Sequence, residues 1–310
     1  MASEPVSKKD KFKNFTKIEM SPGSTFDFEL SNIDFSDSFE NIQSISRAGN
    51  LFLGRFRVND LLNMIESIGL KKHLSLIGFN NLIADVYKDE NYINYLRLYS
   101  NEISPENQLV DLRVSENTFI ADKKFFESEE YAAPYNIITI EWLSAKNPLI
   151  IFDEKKPQLP GQANPGLGVL KYCFKLLYIM AKDVYKDGFL DIPTHMHGAI
   201  MYSKKFKFFD PVHEGILRAV MRDLRKYSLA DISWGVITQT IIDKNKNEPA
   251  VYDPCEQIHY VSNRMRQYFK SKKYRETFRK FYNKKKYYLD YNEMVKRRAE
   301  ILKTKAIEDL

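Results

Sequence analysis

Residues 159–211, LPGQANPGLGVLKYCFKLLYIMAKDVYKDGFLDIPTHMHGAIMYSKKFKFFDP, decide the fold. They open on a loop containing Pro160, Gly161, Pro165, Gly166 and Gly168. A helix is predicted over residues 167–186: Leu170, Phe174, Leu177 and Ala181 recur at i, i+4, i+7 and i+11, and Cys173, Met180 and Val184 widen the apolar face. Gly188 reads as the stop after that helix, and Lys182 and Lys186 suit the negative end of its dipole. A buried strand over 189–193, a short helix over 197–205 and a strand over 206–209 complete the unit. Loop, helix, strand, helix, strand is the grammar of an α/β layer.

The loop has a chemical use beyond turning the chain. Glycines remove Cβ atoms, so main-chain N–H groups can approach an anion, and the following helix aims its positive end at the same spot. A phosphate or pyrophosphate fits there. The plainer alternative is a turn into a buried helix and nothing more.

Taken whole, the unit resembles motifs A and B of the GNAT acyl-CoA N-acyltransferases. That family holds the coenzyme A pyrophosphate with Gln/Arg-x-x-Gly-x-Gly/Ala. Gly166 and Gly168 sit at the glycine positions, Ala163 replaces the Gln/Arg, and Gln162 lies one residue early. The family's later pattern, Asn-x-x-Ala-x-x-Leu-Tyr-x-x-x-Gly-Phe, aligns with His195, Gly198, Met201, Tyr202, Phe206 and Lys207, with only the Tyr identical. The LPGQ-x-x-PGLG run is also similar to one in bacterial proteins, a likeness that implies no activity. The GNAT resemblance implies an α/β (α+β) fold, a mixed, largely antiparallel sheet flanked by helices. It also implies acetyl-CoA or another acyl-CoA as co-substrate, contacted by Gln162, Asn164, Gly166, Leu167 and Gly168. Tyr202 would be the general acid toward the departing thiolate.

The 310 residues are 44% hydrophobic and 14% aromatic, which argues for a globular chain of one large or two modest domains. Two cysteines, Cys173 and Cys255, make no disulfide framework. No apolar run is long enough for a membrane span, and residues 1–15 lack a secretory apolar segment, so a cytoplasmic protein is expected. Residues 263–310 carry 16 Lys and Arg against 6 Asp and Glu, leaving 31 against 35 elsewhere, so the net charge of +6 belongs to the end of the chain.

Four regions are expected: a flexible leader (1–22), a GNAT-like domain (23–211), a helix-hairpin-helix extension (212–285) and a basic helical tail (286–310). Within the domain, residues 25–30 alternate as a strand. Asn59 is an N-cap candidate for a helix ended by Gly69, and residues 71–79 suggest a second helix. Strands are predicted over 92–99, 109–114, 136–143 and 149–152. Further on, residues 214–227 form an amphipathic pattern, 234–242 and 249–252 read as a hairpin, and the chain from 254 onward reads as helix with Val261, Met265, Tyr268 and Phe269 on its apolar face. Ligand binding is expected to survive removal of the residues after about Tyr287.

For acyl transfer to an amine, the site needs a base for the amine and an acid for the thiolate. Glu141, in the ITIEWL strand before the glycine loop, is the candidate base; the alternative is a carboxylate on a solvated strand face. His195, two residues from His197, is a further candidate as base or substrate ligand. A metal is not expected: the histidines bring no HExxH, CxxC or close carboxylate partner. The acceptor is a small-molecule or protein amine. The tail's interleaved basic and aromatic residues suggest polyanion contact. Two other readings stay open: a ligand-binding protein without catalysis, and a nucleic-acid-associated protein working through its tail.

Overall fold

The computed structural model of the chain describes residues 42–46, 51–127, 133–153 and 156–310. The predicted strand at 25–30 and the proposed leader lie outside them. An eight-stranded sheet organises the molecule, in the order β1 (Ile42–Ser46), β2 (Leu82–Lys88), β3 (Asn94–Ser100), β4 (Gln108–Phe119), β5 (Tyr135–Ala145), β6 (Gly188–Asp191), β10 (Gln257–Tyr260), β7 (Lys207–Phe208). Only β1/β2 and β5/β6 pair in parallel; the other five pairs are antiparallel. The architecture is therefore a mixed α/β fold with a mostly antiparallel sheet, and the strands predicted over 92–99, 109–114 and 136–143 are neighbours in it.

Strand alternation sorts the two faces. Leu96, Leu112, Val114, Ile138, Ile140 and Phe189 pack beneath α1 (Val58–Ser67), α2 (Leu70–Leu76) and α3 (Leu170–Asp183), against Leu61, Ile65, Leu74, Leu177 and Met180. The helix of the glycine-loop unit thus lies on the sheet, as its broad apolar face requires. On the other face, Phe119, Ile137, Leu190 and Ile258 pack with Met265, Tyr268, Phe269 and Tyr274 of α7 (Asn263–Lys270) and α8 (Lys272–Lys284).

A third cluster sits beside the sheet and joins the rest of the chain. α4 (Met196–Tyr202), α5 (Pro211–Asp223) and α6 (Leu229–Ile237) bring Met196, Leu217 and Trp234 together. β8 (Ile241–Asp243) pairs with both β9 (Glu248–Pro249) and β11 (Tyr287–Leu289), and α9 (Tyr291–Ile301) packs alongside. Tyr287, Leu289 and Met294 are buried in this cluster, so residues 286–310 are built into the body and the idea of a dispensable tail is corrected.

Several expected elements change. Trp234 lies in a helix: Ser228 and Asp231 form a capping box that starts α6, and this local hydrogen-bond gain outweighs the strand-like alternation after it. Residues 257–260 form a strand where helix was expected, because the vacant edge between β6 and β7 supplies backbone partners that QIHY alone does not reveal. α1 begins at Val58 after Arg57, so Asn59 lies inside the helix and is not its cap. Leu149–Phe152 pairs with no strand among the described residues.

Candidate functional site

The parallel pair β5/β6 creates the opening. Its pairing covers only Ile137–Thr139 against Gly188–Leu190, yet β5 runs on to Ala145 while β6 ends at Asp191. Past Thr139 the two strands no longer share hydrogen bonds, and α3 connects them on one face. A crevice at the carboxyl ends of such strands is where an open sheet receives ligands.

On β5 the opening is marked by a bulge. Arg113 pairs with Trp142 and Val114 with Ile140, so Glu141 is the extra residue. A bulge of this kind re-aims a side chain and increases the local twist. Ser115 Oγ donates to Glu141 Oε1 at 2.6 Å, and Asn117 Nδ2 donates to Ser115 Oγ at 2.7 Å and to Thr139 Oγ1 at 2.8 Å. A half-buried carboxylate therefore ends a chain of polar side chains on the face away from α3.

The glycine loop borders the other side. Leu167 N–H donates to Ala145 O at 3.3 Å and Asn147 N–H to Pro165 O at 2.8 Å, which ties the loop to the end of β5. The N–H groups of Gly166, Gly168, Val169, Leu170 and Lys171 have no hydrogen-bond partner among the described residues. An added Cβ at Gly166 would meet nothing within 4 Å, and Gly168, at φ +74, would meet only His73 Nε2 at 3.8 Å. The exposed, unbonded amides of Gly166 and Gly168, just before a fourteen-residue helix, form a cradle that suits an anion, whereas Val169 is 1% exposed and closed off.

Not every predicted ligand contact faces that cradle. Leu167 is buried and its N–H donates to Ala145 O, so it anchors the loop. Gln162 is likewise occupied: its Oε1 accepts from Leu159 N–H at 3.1 Å and its carbonyl accepts from Gln158 Nε2 at 2.7 Å. Asn164 is exposed. Asn164, Gly166 and Gly168 are the exposed positions of the loop that stay available to a ligand.

His195 also changes role. Thr194 Oγ1 donates to its Nδ1 at 2.9 Å, and its Nε2 lies 3.0 Å from the main-chain oxygen of Leu310, which can only accept. Nε2 therefore carries the hydrogen toward Leu310 O, and both ring nitrogens are held in place. The contact is close-packed: at Gly161 a Cβ would come within 3.0 Å of both Leu310 O and the His195 ring. Gly161 N–H adds a 2.7 Å bond to Ile307 O, so the end of the chain clasps the loop to α4. His197, stacked on His195 at 5.2 Å, donates to or accepts from Ser233 Oγ, and burial lowers it to about 4. Among the described residues no cluster of three His, Cys, Asp or Glu side chains could hold a metal ion.

Tyr202 stands at the end of α4, 5.1 Å from Phe174 edge-on and 5.1 Å from Phe206. Burial, with the charges of Asp191 and Cys173 nearby, raises its hydroxyl well above the usual tyrosine value, so it stays protonated. Gln257, directly across from Asp191, donates its Nε2 to Ala199 O at 3.2 Å, while its buried Oε1 has no partner among the described residues. This polar group under α4 escaped the sequence reading because β10 itself did.

Glu256 was missed for the same reason. Burial, then the charges of Asp210 and Asp253, push its carboxyl up to about 7. Relative to the ordinary 4.5, its folded form binds a proton more tightly than the unfolded form, so its stabilising effect is complete below 4.5 and is lost as pH rises toward 7. Glu256→Gln is therefore expected to match wild type near pH 4.5 and to exceed it above pH 7 by roughly 3 kcal/mol. Denaturant melts across pH check this; a constant difference at all pH values contradicts it.

Five basic residues at this end of the chain, Lys284, Lys285, Lys286, Arg297 and Arg298, are unequally available. Lys285 pairs with Asp243, Arg297 with Glu293 at 2.7 Å, and Arg298 lies over the Trp234 ring at 4.9 Å. Charge reversal at those three would disturb packing before it tested polyanion contact. Lys284 and Lys286 are exposed. No described helix is long and apolar enough to cross a membrane.

No known protein family, curated protein or solved structure matches the chain in comparison.

Proposed function

We propose that the chain is a GNAT-like N-acyltransferase that moves an acyl group from coenzyme A to an amine. The observation that carries this reading is the pairing of open amides at Gly166 and Gly168 with a bulged Glu141 at the end of a separated parallel strand pair. The cradle would hold the pyrophosphate of acetyl-CoA or another acyl-CoA, leaving the thioester in the crevice. Glu141, oriented by Ser115, accepts the proton that the amine sheds as its new C–N bond forms. Tyr202 gives its hydroxyl proton toward the sulfur as the C–S bond breaks, and the products are an amide and a free thiol. His195 holds the loop in this reading.

Gly166 offers the cleaner test of the two glycines, because Gly168 has a positive φ that would strain any replacement. Wild type is expected to melt several degrees higher in excess acetyl-CoA, since a ligand at about a hundred times its Kd adds roughly 2.7 kcal/mol. Gly166→Val is expected to fold with unchanged stability and lose that shift, its isopropyl group standing where the anion would lie. A wild type indifferent to every acyl-CoA, or a Gly166→Val that binds as tightly, defeats the proposal. Binding lost in Gly166→Val without turnover by wild type toward any amine would instead favour the non-catalytic ligand-binding reading.

A further inference from the structure

The run Leu149–Ile150–Ile151 was expected to be strand, yet it projects into solvent. The three side chains are 63%, 38% and 86% exposed, and Leu76 at the end of α2 is 76% exposed. Leu149 lies against Gly78, where a Cβ would come within 3.2 Å of its Cδ1, so the loop and the tip of α2 share one surface. The root of the loop is fixed: Asn147 is buried, donates its N–H to Pro165 O and accepts Leu149 N–H at 3.0 Å. Contiguous aliphatic exposure of this kind on a firmly rooted loop is unusual for a surface facing only water.

Two exposed lysines lie near the apolar tip along the chain, and a third stands at the far end of α2. Lys72 is exposed one turn before Leu76 on the same side of α2, and Lys156 is exposed beyond the loop. Lys171, exposed at the start of α3, has its ammonium 4.7 Å from the Tyr172 ring, which itself lies beside Gly69 at the other end of α2. Of the acids nearby, Glu66 pairs with Lys71 at 3.4 Å, while Asp153 accepts Lys156 N–H at 2.7 Å and keeps its charge.

We propose that this surface docks on an anionic phospholipid bilayer, with Leu76, Leu149, Ile150 and Ile151 entering the headgroup–acyl boundary and Lys72, Lys156 and Lys171 meeting lipid phosphates. Exposed apolar side chains with Lys72 one turn away on the same helix match both layers of such an interface. Four side chains fall short of the roughly 800 Å² per partner that a stable protein interface buries. The docking stands whether or not the cradle binds acyl-CoA. Where it does, α2 spans only about 10 Å between patch and cradle, so amphiphilic substrates at the bilayer surface would have direct access.

The test is co-sedimentation of the full chain with phosphatidylcholine vesicles containing about a quarter phosphatidylglycerol, and with pure phosphatidylcholine vesicles. Wild type is expected to pellet with the anionic vesicles, less with the neutral ones, and less still in high salt. Leu149→Ser combined with Ile151→Ser should weaken binding about tenfold or more, and Lys72→Glu should weaken it on anionic vesicles alone. All these positions are exposed, so the variants should melt as wild type does. Failure of wild type to bind either vesicle overturns the proposal, as does equal binding by the double serine variant. Binding abolished instead by Arg275→Glu with Arg279→Glu, on the exposed face of α8, would move the lipid contact elsewhere and overturn it too. A dimer in lipid-free buffer that the double serine variant dissociates would assign the patch to a second copy of the chain.

Discussion

A chain ended at Lys286 is expected to lose its cooperative unfolding transition. That cut removes β11 and α9, and with them the buried side chains of Tyr287, Leu289 and Met294. Each large apolar side chain is worth about 1.5–3 kcal/mol on full burial, so these three together approach the roughly 5–15 kcal/mol by which a whole domain is stable. Partners left behind are uncovered as well. Trp234 loses the guanidinium of Arg298, Asp223 loses the 2.9 Å bond from Tyr287 N–H, and the carbonyl of Thr240 loses Asp290 N–H. Circular dichroism and denaturant melts of residues 1–286 provide the measurement, with Met294→Ala in the full chain as a milder companion expected to cost about 2–5 kcal/mol. A sharp, wild-type-like transition in the shortened chain would mean that the third cluster does not need its last strand and helix.

Tyr202→Phe is expected to lower turnover by about a hundredfold to ten-thousandfold while acyl-CoA binding changes little. The ring would keep its contacts with Phe174 and Phe206, so packing is preserved and only the proton is removed. Because burial holds the hydroxyl protonated, the loss should be nearly independent of pH across the neutral range. Glu141→Gln should differ: the amide keeps the bond to Ser115 but cannot take the amine's proton, so the loss should shrink as pH rises and more amine arrives deprotonated. The measurement is kcat and KM against pH for both variants with a responsive amine. Equal turnover by Tyr202→Phe and wild type would remove Tyr202 from the chemistry and leave it as packing between α4 and the sheet.

The sequence by itself determined the elements whose signal is local. The apolar period of α3 was legible because one helix face must be buried, and the boundaries moved only from 167–186 to Leu170–Asp183. Alternation marked β3, β4 and β5, and it was present in LIADVYK, where β2 went unread. The glycine loop could be read too, since the unhindered approach to Gly166 follows from the missing Cβ.

Tertiary structure alone decided the rest, because the partners that fix it are remote in sequence. His195 reads the same whether its ring is free or bonded; Leu310, 115 residues away, occupies Nε2 and ties the ring to the end of the chain. Glu141 sits at the bulge only because β4 pairs out of step beside it. Four residues, QIHY, become a strand because β6 and β7 leave backbone groups that must be satisfied, and that pairing carries Glu256 into a dry site with a raised pKa. The basic end looked separable because charge is visible in sequence and burial is not. Tyr287, Leu289 and Met294 acquire their value only from Trp234 and Ile241, more than forty residues earlier, since a hydrophobic side chain stabilises nothing until the surface it covers has been assembled.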